Sequence, residues 1–161
     1  MHPNVERVVA AAAERGLAID TRSFPDGTKT AQDAARAIGV EVGQIVKSLV
    51  FAVAKSDGQS DVVIALVSGS NRLDEHKLAG AAGGQRARRV DADAARAATG
   101  FPIGGVPPFG HREALPVFVD EDLLRWDEVW AAAGTWNDVF PIGPDALVVA
   151  AGGTVHDLAK R

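Results

Sequence analysis

The sequence contains no cysteine among its 161 residues. Disulfide bridges, thiolate zinc sites and cysteine nucleophiles are therefore excluded. It also lacks an 18-residue apolar run and the apolar stretch of a signal peptide, so we expect a cytoplasmic protein without membrane association. A basic excess is missing as well. The formal net charge is −4, which argues against a large contact surface for duplex DNA but leaves room for a small basic patch that binds a nucleic-acid end.

Two common kinds of catalytic site are also missing. The four histidines lie far apart in the chain, at His2, His76, His111 and His156. They form no metal-ligand spacing, so we expect no metal and no other cofactor, and His111 is at most a proton shuttle. No Gly-x-Ser-x-Gly elbow occurs. Ser48 directly follows Lys47 in a strand-like run, where consecutive side chains point to opposite faces, so the two cannot form a Ser-Lys pair.

Length and composition, with 47% hydrophobic and 24% charged residues, are those of a single domain over residues 1–161. Capping residues and apolar spacing predict helices over residues 4–15, 30–38, 71–82, 91–99 and 144–150. Strand-like runs occupy residues 17–24, 45–54, 61–68, 86–90, 115–120, 128–133 and 139–142. This irregular alternation, with a hairpin around residues 56–60, predicts an α+β domain with a mixed, mostly antiparallel central sheet flanked by helices.

The run Ile45–Ala54 is the most strand-like in the chain, and Lys47 is the one charged residue in it. An unpaired buried ammonium costs several kcal/mol, so this lysine must reach water or a polar pocket. One interpretation is an edge-strand lysine that prevents aggregation. The other is a cation that points into a cleft floored by a sheet.

The segment Thr99–Gly110 contains four glycines and three prolines, which exclude regular structure. Gly104 and Gly105 allow the backbone to approach a ligand, and such a loop can present N–H groups to a carbonyl oxygen or a phosphate. A rigid surface turn without a ligand is the alternative. Phe101 and Phe109 favour a pocket, because a solvated loop rarely carries two phenylalanines.

Basic residues concentrate at one place, Arg86, Arg88 and Arg89. They are either a solvated face or part of a phosphate-contacting patch. The three tryptophans, Trp126, Trp130 and Trp136, are predicted to lie in the core or in a pocket wall, and stacking on a nucleic-acid base is the lesser alternative. Asn137 and Asp138 follow Gly134 and are typical turn residues.

Taken in order, several of these segments resemble the YbaK/ProX superfamily of aminoacyl-tRNA editing domains, which occur free-standing and inserted in prolyl-tRNA synthetases. The segments are Thr30–Gly39, Ile45–Phe51, Thr99–Gly110, Pro116–Asp120, Ala133–Gly134 and Pro144–Leu147. The resemblance covers residues 28–158, and it implies the fold of that family with a barrel-like sheet.

The resemblance implies hydrolysis of the ester that joins a wrongly attached amino acid to the 3′-terminal adenosine of a tRNA. The implied partners are the tRNA acceptor end and an aminoacyl-tRNA synthetase. The catalytic residues implied are Lys47, Gly104 and Gly105. The implied substrate-binding residues are Thr30, Phe101, Val106, Pro107, Phe109, Gly110, Gly134, Asn137 and Asp138. The implied tRNA contacts are Arg86, Arg88 and Arg89. The alternatives are an inactive module of the same fold that binds tRNA or a synthetase, and a pocket protein for a small metabolite.

Overall fold

The structure is a computed structural model that describes residues 1–161. It has five α-helices: α1 (Pro3–Glu14), α2 (Ala31–Ile38), α3 (Glu75–Ala81), α4 (Ala92–Thr99) and α5 (Pro144–Ala151). Its strands are β1 (Arg22–Ser23), β2 (Val46–Ala54), β3 (Ser60–Ser68), β4 (Arg86–Arg89), β5 (Val117–Asp120), β6 (Val129–Ala132), β7 (Asp138–Ile142) and β8 (Thr154–His156). None of the helices has the length and apolar character that a membrane crossing requires.

Two helices begin at the caps that the sequence predicts. The Thr30 hydroxyl accepts the Asp33 N–H at 3.0 Å, and the Asp91 carboxylate accepts the Ala94 N–H at 2.8 Å. Each bond satisfies one of the N–H groups that the first turn of a helix leaves free. Gly39 ends α2 with φ of 86°, a left-handed conformation that favours glycine.

The predicted starts of two other helices were wrong. His2, and not Asn4, caps α1, since its Nδ1 accepts the Asn4 N–H at 2.9 Å and Pro3 occupies the first helical position. Helix α3 starts after its cap Asp74, three residues later than expected. Its first predicted residues, beginning with Asn71, form an extended segment instead.

The strands form two sheets. The five-stranded sheet has the order β4-β2-β3-β5-β8, in which β5 runs parallel to β3 and to β8 while the other pairs are antiparallel. The three-stranded sheet, β1-β7-β6, is entirely antiparallel. The predicted mixed, mostly antiparallel arrangement is confirmed. The barrel-like closure is wrong, because only an isolated bridge between Ile45 and Trp130 links the sheets, and β4 and β8 remain open edges.

Two strand predictions differ from the structure. The expected strand at residues 17–24 is reduced to Arg22–Ser23, because only these residues find a ladder partner, in β7. Leu17 and Ile19 pack against the core without one. Strand β8 follows Gly152 and Gly153 and was not predicted, since a three-residue strand carries almost no periodic signal.

The five-stranded sheet is buried on both faces. Val46, Val50 and Ala52 of β2 belong to the larger core cluster, which includes residues of α1, α4, α5, β6 and β7. Phe51 and Val53 point the other way, into a smaller cluster beneath α3 and the C-terminal tail. Because the faces alternate along β2, its apolar side chains from Val50 to Val53 divide between the two cores.

Glycine substitutions near α3 test this packing. A Cβ on Gly84 would overlap the buried Val53 side chain and lie 2.8 Å from the Ala54 carbonyl oxygen. We expect Gly84→Ala to lower the free energy of unfolding by about 1–3 kcal/mol in urea denaturation. Gly80→Ala is the control, since a Cβ there meets nothing within 4 Å inside a helix, and we expect it to raise stability by about 0.5–1 kcal/mol. Equal effects of both would contradict the packing described.

Candidate functional site

One cavity lies where the start of β2 meets the N-terminus of α2, strand β6 and the segment Thr99–Gly110, which we call the glycine-proline loop. Its volume is about 310 Å³, within the range of small-molecule sites. The residues that carry its chemistry are Thr30, Lys47, Arg89, Ile103, Gly104 and Val106. Residues that are more than 100 positions apart in the chain, such as Thr28 and Val139, therefore line the same cavity.

Lys47 lies on an interior strand, between β3 and β4 in the sheet order, and its side chain lines the cavity. Strand β4 pairs with β2 only from Phe51 to Ala54, so at Lys47 the strand has a ladder partner on one side, Val67 of β3. The place of Lys47 in the cavity wall agrees with the cleft interpretation, and the edge interpretation stays a prediction. Its ammonium donates a hydrogen bond to the Asn71 carbonyl oxygen. Partial burial lowers the pKa of Lys47 from its usual 10.5, and the positive charges of Arg89 and Arg72 lower it further.

The loop residues Gly104 and Gly105 are packed too tightly for any side chain. A Cβ on Gly104, where φ is +87°, would lie 2.8 Å from Lys29 Cγ. A Cβ on Gly105 would lie 3.0 Å from the Thr135 amide nitrogen, so two backbones meet there. The Gly105 N–H already donates to the Pro102 carbonyl oxygen at 2.9 Å, whereas the Gly104 and Val106 N–H groups have no intramolecular acceptor.

The N-terminus of α2 also faces the cavity, which Thr30, Ala31 and Gln32 line. The N–H groups of Ala31 and Gln32 have no acceptor within the protein. Free N–H groups and the positive end of the helix dipole favour negative charge at such a position. Together with Lys47 and Arg89, the helix makes the cavity electropositive, although the chain as a whole is acidic.

Trp136 lines a neighbouring groove and contacts two residues of the cavity wall, Lys29 and Ile103. The Trp136 indole N–H donates to the Ile103 carbonyl oxygen at 2.7 Å, and the Lys29 ammonium lies 4.0 Å from the centre of the Trp136 ring. Trp136 and Ile103 are nevertheless 46% and 43% exposed. An exposed aromatic edge beside a cationic cavity is suited to stack on a flat ligand group.

Several predicted loop residues lie outside this cavity. Phe101 and Phe109 are buried in the core, where the guanidinium groups of Arg7 and Arg15 lie 4.4 and 5.4 Å from their ring centres. Arg7 lies in α1, and Arg15 is the C-terminal cap of that helix. The two phenylalanines therefore anchor the loop to the first helix instead of lining the cavity.

The end of the loop is held in the same way. Pro107 is buried, and its carbonyl oxygen lies 2.7 Å from Nε2 of His111. A Cβ on Gly110 would come within 2.7 Å of the Ala11 side chain. Burial lowers the pKa of His111, and this ring faces the loop backbone and is not part of the cavity wall.

The turn Gly134–Asp138 packs against Gly105 of the glycine-proline loop. Gly134, Asn137 and Asp138 line an open groove of about 740 Å³ and do not line the Lys47 cavity. The Asn137 amide donates to the Phe24 carbonyl oxygen at 2.9 Å, and the Asp138 carboxylate accepts the Thr135 hydroxyl. These polar side chains are engaged in fixing the turn.

The basic run divides between the two faces of β4. Arg89 pairs with Phe51 across the sheet and lines the cavity, on the face of Lys47. Arg86 and Arg88 are two strand positions apart and share the opposite face. All three are exposed at the sheet edge.

Sequence reasoning missed two residues of the site, Lys29 and Asn71. Lys29 sits between a turn and a helix cap, and its contact with Trp136 spans more than 100 residues of chain. Asn71 was assigned to a helix, and nothing in its neighbourhood indicated that its carbonyl oxygen would meet Lys47. Trp136 is expected in the core or a pocket wall, and it lines the groove beside the cavity.

A model of the family described as aminoacyl-tRNA editing domain matches residues 25–149. The uncharacterized protein YwhH of Bacillus subtilis is 32% identical over 128 residues, which are 80% of this chain and 78% of that one. EbsC of Enterococcus faecalis, named as a candidate Cys-tRNA(Pro)/Cys-tRNA(Cys) deacylase, is 26% identical over 82% of this chain and 78% of its own.

A crystal structure described as a candidate trans-editing enzyme for prolyl-tRNA synthetase superposes with a TM-score of 0.90 and 44% identity. The superposition covers 100% of this chain and 99% of that one. The proline–tRNA ligase of Maridesulfovibrio salexigens is 31% identical over 70% of this chain, which spans only 18% of the ligase. The same kind of segment thus occurs both alone and within a larger enzyme.

We expect the depressed pKa of Lys47 to be measurable by NMR. The lysine ¹³Cε resonance that is missing from Lys47→Met should titrate in wild type with a pKa below 10.5. A value for Lys47 at or above 10.5 would contradict the burial described.

The same shift gives a pH dependence of stability. Folded Lys47 binds its proton less tightly than the unfolded chain does, so its ionisation opposes folding below its folded pKa, and this opposition is relieved as pH rises towards 10.5. The stability of Lys47→Met relative to wild type should therefore be greater at pH 7 than at pH 10 in urea denaturation. A pH-independent difference would contradict this expectation.

Proposed function

Because this chain belongs to the aminoacyl-tRNA editing domain family, we propose that it hydrolyses in trans the ester bond of mischarged aminoacyl-tRNA. Two relatives, one named as a candidate tRNA deacylase and one as a candidate trans-editing enzyme, support deacylation as the activity. Inserted relatives in proline–tRNA ligases support a connection with a synthetase. We place the reaction in the cytoplasm, where tRNAs are charged.

The observation that carries the proposal is that Lys47 and the loop residues Gly104 and Val106 line the same cavity. Ester hydrolysis develops negative charge on the carbonyl oxygen as the attacking group adds. Preorganised N–H groups and cations near that oxygen stabilise the transition state more than the ground state. The free N–H groups of Gly104 and Val106 are suited to this role, whereas that of Gly105 is occupied by Pro102.

The positive groups of the cavity can bind the negatively charged 3′ end of the tRNA. We assign Lys47 to the terminal ribose or the developing oxyanion, and Arg89 with the N-terminus of α2 to the terminal phosphate. We assign the exposed Trp136 ring, which contacts Lys29 and Ile103 of the cavity wall, to stacking on the terminal adenine. Only a single-stranded end needs to enter, so the acidic charge of the chain does not prevent binding.

No residue of the cavity wall supplies a general base of the usual kind. The wall contains no aspartate, glutamate, histidine or cysteine, and nowhere in the structure do three such residues form a group that could hold a metal ion. We therefore propose that water, oriented by the protein or by a hydroxyl of the substrate, attacks the ester carbon, that the terminal ribose oxygen leaves and takes up a proton, and that the reaction is independent of metal. The protein then contributes positioning and electrostatic stabilisation.

The direct test is deacylation of tRNAs charged with alanine, cysteine, serine or proline. We expect wild type to accelerate hydrolysis of at least one ester over buffer, and Lys47→Ala to reduce that rate on the order of 100-fold, as loss of an oxyanion-stabilising group does. Lys55→Ala is the matched control. Lys55 directly follows β2 and also donates to a backbone carbonyl, that of Ala82, but it lies outside the cavity.

The outcomes separate the possible functions. No acceleration by wild type, together with tight tRNA binding that Lys47→Ala leaves unchanged, would identify an inactive binding module. Equal losses in Lys47→Ala and Lys55→Ala would show that the cavity lysine has no special role. Activity that survives EDTA is expected, and its loss would overturn the metal-independent mechanism.

A further inference from the structure

The short connection between β3 and α3 joins the cavity to a buried polar network. The Asn71 carbonyl oxygen accepts the hydrogen bond of the Lys47 ammonium. Its own N–H donates to the Ser68 carbonyl oxygen at 2.9 Å, which closes a tight turn after β3. The position of this carbonyl oxygen therefore depends on how firmly Asn71 is held.

The Asn71 side chain is held by two carboxylates. Its amide nitrogen lies 3.0 Å from Asp120 Oδ2 and 2.7 Å from Asp122 Oδ2. Asp120 is 0% and Asp122 8% exposed. A carboxylate accepts hydrogen bonds and an amide NH₂ has two hydrogens to donate, so this geometry uses both of them and fixes the orientation of the amide.

The two carboxylates are themselves fixed, mainly by the C-terminal tail. Asp120 Oδ1 accepts the Leu158 N–H at 3.1 Å, and Leu158 is fully buried. An Arg161 guanidinium nitrogen lies 3.5 Å from Asp122 Oδ2. Arg125 lies 3.2 Å from Asp122 Oδ1, close enough for an ion pair although not aligned as a hydrogen bond. Leu158 and Arg161 lie beyond the residues that the family model matches.

We propose that Asn71 is a positioning residue for Lys47, and that Asp120 and Asp122 hold it in place. The proposal rests on the proposed function, since it assigns Asn71 a part in the same reaction. The Asn71 side chain points towards the carboxylates and its residue does not line the cavity, so it acts only through the lysine.

The physical reason lies in the lysine side chain. It has four flexible torsions and a strongly hydrated head, so without an anchor it would sample many positions and favour water. An ammonium has three hydrogens. One directed to the Asn71 carbonyl oxygen fixes its position and leaves two for the substrate. Displacement of a catalytic group by about 1 Å can reduce a rate by as much as 100-fold.

The first test compares Asn71→Ala with wild type in the deacylation assay. The substitution keeps the carbonyl oxygen but removes the amide that fixes it. We expect kcat to fall about tenfold to a hundredfold with a smaller change in KM. In the Lys47→Ala background the same substitution should have almost no further effect, because a residue that acts through Lys47 has nothing left to position. An equal loss in both backgrounds would overturn the proposal.

The second test does not require activity. In Asn71→Ala the released ammonium should turn towards water, so the pKa of Lys47 measured by ¹³C NMR should rise towards 10.5. An unchanged pKa would overturn the anchoring role. If wild type deacylates none of the four esters, the proposed function fails, while this titration still decides whether Asn71 holds the lysine.

Two further variants guard against a purely structural effect. Ala10→Gly weakens α1, which contributes no residue to the network, at an exposed position, and it should leave kcat and the Lys47 pKa unchanged at a temperature where it is folded. If Asn71→Ala does not fold, Asn71→Ser replaces it, because the hydroxyl retains one donor but cannot reach both carboxylates. Loss of kcat in Ala10→Gly equal to that in the Asn71 variant would show that stability alone is responsible.

Discussion

The candidate site depends on how the Lys47 ammonium is held at the edge of the apolar cores. Lys47 lies in an interior strand whose neighbours are committed to two apolar cores, and an ammonium in such a place must find a polar partner. The Asn71 carbonyl oxygen is that partner. Asp120 and Asp122, at and after the end of β5, hold the Asn71 side chain and so maintain the position of this oxygen. Because the Leu158 N–H binds Asp120, the geometry around Lys47 depends on how the C-terminal tail is packed.

The second constraint is the close approach of two backbones. Gly105 lies against Thr135, and Gly134 against Asn4, at distances that leave no room for a Cβ. The glycine-proline loop therefore packs against the Gly134–Asp138 turn, and this turn packs against α1. This stacking leaves Gly104 and Val106 at the cavity, and it directs the phenylalanines of the loop into the core.

Apolar spacing, capping residues and composition were sufficient to predict most of the helices and strands. The hairpin of β2 and β3 and the helices capped by Thr30 and Asp91 depend on contacts between residues near in sequence, so local patterns identified them. The open edges of the larger sheet and the short strand β8 depend on pairing across long stretches of chain. Periodicity carries no information about such pairing, which is why closure was wrongly expected and β8 was missed.

For the site, the sequence by itself determined that Lys47 needs a polar environment and that residues 99–110 form a stiff irregular loop, because both follow from the chemistry of the residues themselves. Only the tertiary structure decided which loop residues reach the cavity, that Phe101 and Phe109 do not, and that Lys29, Trp136 and Asn71 belong to the site and its support. The reason is physical: burial and hydrogen-bond partners are properties of residues brought together by folding, and they leave no trace in local spacing.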